Sequence, residues 1–327
     1  MPVNFFIFIC WYIFCLLKNM CSNTHVSLSV KLDISAMNNP NARISVVIVT
    51  RNRIQNLFHT LNQLYTLPER PPIIVVDNGS SDGTSEEVRM HYPETMVISL
   101  SKNLGPAGRN LGVQHTDCPY VAFSDDDSWW APGSLAKAID LFDSHPKLAL
   151  IASRIFVGQE QRLDPICRKM SDGKLPVIPD CPGFPILGFI ACGSIVRRSA
   201  YLAMGGFESR FGIGGEENLL AMDLAAHGWH LAYIEDIISY HYPSPIRNRN
   251  DRRRNEVRNT LWTAWLRRPV SIALLKTLSL LKPALNDPYT RDGLFDALKK
   301  LNWVIRSRQL IPKHVELALR ILENGSK

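Results

Sequence analysis

The sequence predicts a doubly wound α/β domain with a mostly parallel sheet, followed by a helical extension. Three observations carry this. Strand-length apolar runs alternate with helix-spaced stretches between residues 44 and 123, the pattern of parallel strands joined by right-handed crossovers. Polar pairs follow the strands, Thr50/Asn52, Asp77/Asn78 and Asp125/Asp127, which puts them on one edge of the sheet, where open α/β sheets bind ligands. Charge is divided: residues 243–327 hold 18 basic and 7 acidic residues, while the whole 327-residue chain has a net charge of +7. The front part is therefore slightly acidic and the tail strongly basic.

Residues 1–42 stand apart. Phe5 to Leu17 are apolar without a break, short of the roughly 20 residues a membrane span needs. No basic residue precedes them and no clean cleavage site follows. A signal-anchor, a monotopic anchor, or sequence upstream of a true start at Met20 or Met37 all fit. The polar, patternless stretch from 18 to 42 favours the last.

Ile44 to Thr50 is β-branched, as a buried strand requires. Leu57, Phe58, Leu61, Leu64 and Tyr65 then fall at helical spacing, and Pro68, Pro71 and Pro72 close that helix. Ile73 to Val76 is a second strand. Glu86 to Met90 reads as a short helix with Asp82 or Thr84 near its cap. Thr95 to Leu100 is a third strand, and Asn103 to Asn110 opens another helix. Tyr120 to Phe123 is the fourth strand, running into Asp125-Asp126-Asp127 and then Trp129-Trp130. Three adjacent carboxylates repel one another. A divalent cation would hold them, since hard cations take carboxylate oxygens. Ser153 to Pro185 reads as an irregular excursion. Gly188 to Val196 reads as a strand whose glycines mark a close approach. Phe211 to Glu217 leads into a helix to about Ala226, with Gly228 as its left-handed terminator. Leu231 to Ile234 is a short strand.

No G-x-G-x-x-G follows the first strand and no G-x-x-x-x-G-K-[ST] occurs, which argues against dinucleotide and P-loop binding. The seven cysteines form no C-x-x-C pair, which suits a reducing compartment and offers neither a disulfide framework nor a zinc site.

Taken together, Val49-Thr50-Arg51-Asn52, Asp77 to Thr84, Asn103 to Gly112, Asp125-Asp126-Asp127 and Gly214-Gly215-Glu216-Glu217 resemble the motifs of the family 2 glycosyltransferases, in order and spacing, over roughly residues 44–242. Four positions depart from the family pattern: Val49 for proline, Arg51 for an aromatic, Asn78 for an acid and Glu217 for Asp. The resemblance implies a Rossmann-like GT-A fold over residues 43–245 and transfer of a sugar from a nucleotide diphosphate to an acceptor hydroxyl, with inversion and with Mg²⁺ or Mn²⁺. It implies Asp127 as the main metal ligand, with Asp125 and His241 beside it. His241 reads equally well as a histidine in a tyrosine-rich turn. Thr50, Arg51, Asn52, Asp77, Asn78, Asp125, Asp126 and Arg109 would meet the nucleotide sugar; Arg109 reads equally as a helix-surface arginine. Glu217 is the expected base, with Glu216 as its alternative. Both sit at a helix N-terminus, whose dipole favours the ionised form, and a base must hold no proton. Trp129, Trp130 and Gly193 are expected at the acceptor, with one tryptophan of the two facing ligand.

The tail, residues 246–327, is expected to be basic and helical. Arg247 to Arg254 is its densest basic run, and Leu261, Trp262, Trp265 and Leu266 make one helical stripe. Basic residues beside Trp and Leu suit an anionic lipid surface or a lipid-linked acceptor. A helical subdomain with salt-bridged arginines fits as well. The expected setting is cytoplasmic, peripheral at the inner face of the membrane, with a sugar, lipid-linked or small-molecule acceptor and no nucleic acid. A catalytically silent scaffold and a basic nucleic-acid or membrane-surface binder are the alternatives; the second leaves the three acids unexplained.

Overall fold

The computed structural model describes residues 41–243 and 249–324. The expectations for residues 1–40, and part of the Arg247 to Arg254 run, lie outside the described residues.

Strands β1 (Ile44–Thr50), β2 (Ile73–Asp77), β3 (Met96–Ser99) and β4 (Tyr120–Asp125) form the parallel half of the sheet in the order β3-β2-β1-β4. Register sets the edge: Thr50 pairs with Asp77, and Val49 with Asp125. The polar strand ends therefore converge as predicted. β9 (Ser194–Arg197) adds antiparallel to β4, followed by β6 (Leu148–Val157), β10 (His230–His241) and β5 (Ser128–Trp130). Two short strands, β7 (Arg162–Leu163) and β8 (Phe184–Pro185), pair with β6 and β10.

Both faces of the sheet are covered, so alternate residues of each strand enter different cores. Val46 and Ile48 pack with Leu57, Leu61 and Leu64 of helix α1 (Ile54–Tyr65). Val47 and Phe123 enter the opposite core with Val113 of helix α3 (Gly108–Gln114). Helix α2 (Thr84–His91) starts after Gly83 at φ +80°, and the Asp82 carboxylate accepts from the Thr84 amide at 3.2 Å.

Several expectations change. Ser153 to Pro185 is not simply irregular. β6 runs straight through Ser153, and helix α5 (Pro165–Ser171) follows helix α4 (Ser134–Ser144) along the chain. Ser153 is tolerated in this buried strand because its hydroxyl donates to the Gly193 carbonyl at 2.9 Å and meets Ser239 Oγ at 2.8 Å. The two segments near Leu231 and Tyr240 are one strand, interrupted by a register shift between Ile234 and Ile238. The glycine-rich strand begins only at Ser194, after a 3₁₀ turn over Ala191–Gly193.

Helix α6 (Arg198–Ala203) leads to α7 (Glu216–Ala226), which ends as foreseen at Gly228, φ +81°. The tail is helical: α8 (Arg249–Arg267), α9 (Val270–Asn286), α10 (Pro288–Lys299), α11 (Leu301–Ser307) and α12 (Lys313–Asn324). Its core holds Leu261, Trp262, Leu266, Leu294 and Val304, and also Phe211 and Leu219 from the segment around α7. The Trp262 stripe thus faces protein rather than lipid. Most tail arginines with described side chains are paired: Arg254 with Asp296, Arg267 with Asp223, and Arg268 with Glu316 and Glu323. No helix among the described residues is long and apolar enough to cross a membrane.

Candidate active site

The three consecutive acids are held by cationic partners, Asp125 by Arg109 and both Asp126 and Asp127 by Arg53. Asp125 receives a short charged hydrogen bond from Arg109, and its own amide donates to Ser128 Oγ at 2.7 Å. Asp126 turns inward. It accepts from Thr50 Oγ1 at 3.0 Å and from Arg53 Nη1 at 3.0 Å, while its carbonyl accepts from Thr60 Oγ1. Burial lifts its pKa to about 7, with the Arg53 charge opposing and Asp127 and Asp125 assisting. Asp127 lies between Arg53 Nη1 at 3.3 Å and His241 Nε2, which is 3.3 Å from Asp127 Oδ1.

The structure revises several nucleotide-site expectations. Thr50 and Asp126 are buried and bonded to each other, so they tie β1 to the end of β4 instead of lining an open pocket. Asn78 is buried as well. Its side chain accepts from the Leu104 amide and donates to the Gly105 carbonyl, which holds the Asn103 to Gly112 segment against β2. Asp77 accepts from the Ser80 amide at 2.8 Å and from Ser85 Oγ at 2.5 Å, so its carboxylate shapes the loop after β2. Asn52, at φ +53°, joins the same loop: its Oδ1 accepts from the Ser81 amide at 2.7 Å. Arg51 is exposed at the rim.

Arg109 is not a helix-surface arginine. It is 4% exposed and its guanidinium lies 5.9 Å from the ring centroids of both Phe123 and Phe207. His241 is not in a turn; it ends β10 opposite Ser128 of β5. Trp130 is fully buried and Trp129 nearly so, the latter packed on His59 and Tyr242 with centroids 5.0 and 4.7 Å away. Neither ring is presented to a sugar face. Gly193 is interior too: a Cβ there would come within 2.7 Å of Ile155 Cδ1, so this glycine permits close strand packing.

Near the end of β4 lies the N-terminus of α7, close enough for Asp125 and Arg109 to act on Glu217. Gly214 and Gly215 reach it with φ of +102° and +88°, in the left-handed region that favours glycine. Glu216 is buried and its Oε2 accepts from the Gly214 amide at 2.6 Å, which clips the loop shut. Glu217 is half-buried and feels the charges of Arg109 and Asp125. The helix dipole does not hold these acids low. Burial pushes both up, and Glu216, with Glu217 beside it, reaches about 8.

Burial holds the Cys192 thiol well above the usual thiol range, with Asp125, Asp127 and Glu217 adding to the shift and Arg109 opposing it, so all four side chains lie near this sulfur. Among the described residues, Asp125, Cys192 and His241 bring donor atoms within 4.8 Å of one another. A carboxylate, an imidazole and a thiol at that spacing fit one divalent cation. Asp127, the ligand expected from sequence, is not in that triad; it joins through its contact with His241. Arg53 and Cys192 are the two residues the sequence reading passed over. Arg53 could have been found from its position one residue past the strand-end pattern. Cys192 carried no signal, because nothing in sequence links it to residues far away along the chain.

Residues 45–205 match the family described as glycosyl transferase family 2. YwdF of Bacillus subtilis strain 168, an uncharacterized glycosyltransferase, is 30% identical over 51% of this chain. The match spans 62% of that relative's length, less than two thirds. An N-acetylglucosaminyl-diphospho-decaprenol L-rhamnosyltransferase of Mycobacterium tuberculosis is 26% identical over 61% of this chain and 76% of its own. Among solved structures, the mannosyltransferase PcManGT of Pyrobaculum calidifontis, in complex with GDP-Man and Mn²⁺, superposes with a TM-score of 0.54 at 16% identity, covering 92% of this chain and 94% of that one. S. aureus TarS 1-349 gives 0.54 at 17% identity, covering 84% and 83%. At these identities the structural likeness speaks for the fold alone, which is GT-A. With the strand-end acids inside the matched segment and its relatives in agreement, residues 45–205 form a glycosyl transferase family 2 domain.

Proposed function

We propose that the protein transfers a sugar from a nucleotide diphosphate sugar to an acceptor hydroxyl with inversion, using Mg²⁺ or Mn²⁺. The observation that carries this reading is that Asp125, Asp127, Arg109 and Glu217 all lie near enough to the buried Cys192 to act on its thiol, beside the carboxyl ends of the parallel strands. Asp127, Asp125 and His241 would hold the cation, which as a Lewis acid neutralises charge developing on the diphosphate. Arg109 fixes Asp125 in place. Arg51 and Asn52, with the loop that Asp77 shapes, border the nucleobase pocket. Glu217, at the N-terminus of α7, takes the proton of the acceptor hydroxyl. Glu216 is committed to the Gly214 amide, and this supports Glu217 as the base.

A lipid-linked acceptor of the kind the mycobacterial relative's name states suits the tail. α9 leaves Val270, Leu274, Leu278 and Leu285 exposed on one face with Lys282 beside them, the layout of a helix that lies on a membrane surface. Such an enzyme would serve cell-surface polysaccharide, glycolipid or natural-product glycosylation, at the inner face of the membrane.

The test is a thermal-shift screen of nucleotide sugars with Mn²⁺, followed by donor hydrolysis and transfer assays. Stabilisation by one donor class and turnover lost in Asp127→Ala are expected. Donor turnover that survives both Asp127→Ala and chelation would defeat the metal-dependent reading. For the membrane contact, Leu274→Glu/Leu278→Glu should lower sedimentation with anionic vesicles, and unchanged sedimentation sinks it.

A further inference from the structure

We infer that the thiol of Cys192 is a ligand of the cation site, so that the site selects a thiophilic divalent ion over Mg²⁺. This rests on the metal-dependent reading above and deepens it. The sulfur comes from the 3₁₀ turn Ala191–Gly193, the imidazole from the end of β10 and the carboxylate from the end of β4. Three separate elements therefore deliver donor atoms within 4.8 Å of one another. Ligands on one ion at metal–donor distances of about 2.0–2.3 Å lie no farther apart than that. The turn is rigidly placed. The Cys192 carbonyl accepts from Ser128 Oγ at 3.4 Å, and the Gly193 carbonyl accepts from Ser153 Oγ at 2.9 Å. Ser128 lies between Asp125 and His241, since its hydroxyl accepts from the Asp125 amide and its backbone pairs with His241. The three ligands are thus braced against one residue.

The consequence is chemical selection. All-oxygen sites suit Mg²⁺, whereas mixed imidazole and thiolate sets favour Zn²⁺, Co²⁺ or Cd²⁺. The sulfur binds as thiolate, and its proton passes to solvent.

The experiment uses the full chain with Co²⁺ and Cd²⁺ as probes, read by absorption and calorimetry. Wild-type protein should show a near-ultraviolet sulfur-to-cobalt charge-transfer band. Cys192→Ser should lose that band and bind Cd²⁺ at least about ten-fold more weakly, with Mn²⁺ affinity changed far less. Cys181→Ser, which alters a partly exposed thiol outside the triad, should keep the band. His241→Ala should lose cobalt binding altogether. A cobalt spectrum identical in wild type and Cys192→Ser overturns the inference. So does a band that disappears in Cys181→Ser and persists in Cys192→Ser. Circular dichroism of metal-free Cys192→Ser separates ligand loss from misfolding. Because the readout is spectroscopic, an absence of sugar transfer would count against the functional reading alone.

Discussion

Asn259 Nδ2 donates to the carbonyl oxygen of Gly214 at 2.6 Å. The same amide group donates to the Phe211 carbonyl at 2.9 Å, and Arg258 reaches that carbonyl as well. A buried residue of the tail therefore pins the loop that presents Glu216 and Glu217. The tail helices are part of the scaffold of the site, which is why Phe211 and Leu219 belong to their core.

Replacing Asn259 by Ala strands the Gly214 carbonyl and leaves the Phe211 carbonyl to Arg258 alone. Each unsatisfied group costs about 1–3 kcal/mol. The variant is expected to lose stability in urea denaturation and to show a lower kcat with nearly unchanged donor affinity. Donor binding reports the β1–β4 edge, whereas kcat reports the placement of Glu217. An equal loss in both would mean that the loop also holds donor.

Arg53→Ala should act on the other wall. Its guanidinium bridges Asp126 and Asp127, and Asp126 is almost fully buried. The loss is expected at about 1–3 kcal/mol near neutral pH, typical of hydrogen bonds to charged groups. The pH dependence follows from the sign of the Asp126 shift. Its folded pKa, about 7, is raised above the ordinary 3.8, so the folded state holds the proton more tightly and the charged form is the costly one. The penalty for removing Arg53 should therefore be largest above pH 7 and shrink as acid protonates Asp126. Urea titrations at about pH 8 and about pH 5 check this; a penalty that grows in acid contradicts it.

Gly112→Ala tests how α3 seats on the sheet. An added Cβ would stand 2.4 Å from Val47 Cγ1. Alanine gains about 1 kcal/mol of helix propensity, but overpacking against a β-branched neighbour costs about 1–3 kcal/mol. The net expectation is a destabilised protein with a lower thermal midpoint. A raised midpoint would show that α3 can lift from β1 without cost.

Local patterning made the first four strands legible, because β-branched runs with polar ends say both what is buried and where the sheet edge lies. The resemblance then named the acids that meet there. What escaped was set by partners distant in sequence. Ser153 and Arg154 hid β6, since a buried serine is acceptable only once Gly193 and Ser239 supply its bonds, and Arg154 only beside Glu235. Glu235 and Asp236 hid the continuity of β10, because the register shift they occupy breaks the alternation a strand should show. Of Trp129 and Trp130 the sequence expects one to face ligand and one to be core, and both are core. Asp126 looked like its neighbours and is a structural bolt. In each case the residue type was legible and its direction was not, as expected where one residue of register decides which face a side chain meets.

Glu217→Gln gives the sharpest test of the chemistry. Glutamine keeps the size of the side chain and removes the proton acceptor. The proposed nucleotide residues sit at the ends of β1 and β2 and not on α7, so donor binding should be unchanged while transfer falls by about 10²–10⁴-fold, the usual contribution of a general base. Burial, the first cause, raises the Glu217 pKa above its ordinary value of 4.5. A base works only when unprotonated, so wild-type transfer should climb with pH through that raised value and fall away on the acid side earlier than a free glutamate would require. The residual activity of Glu217→Gln should lack that acid limb. Transfer at the wild-type rate in Glu217→Gln, or an acid limb that persists in it, would assign the base to another group.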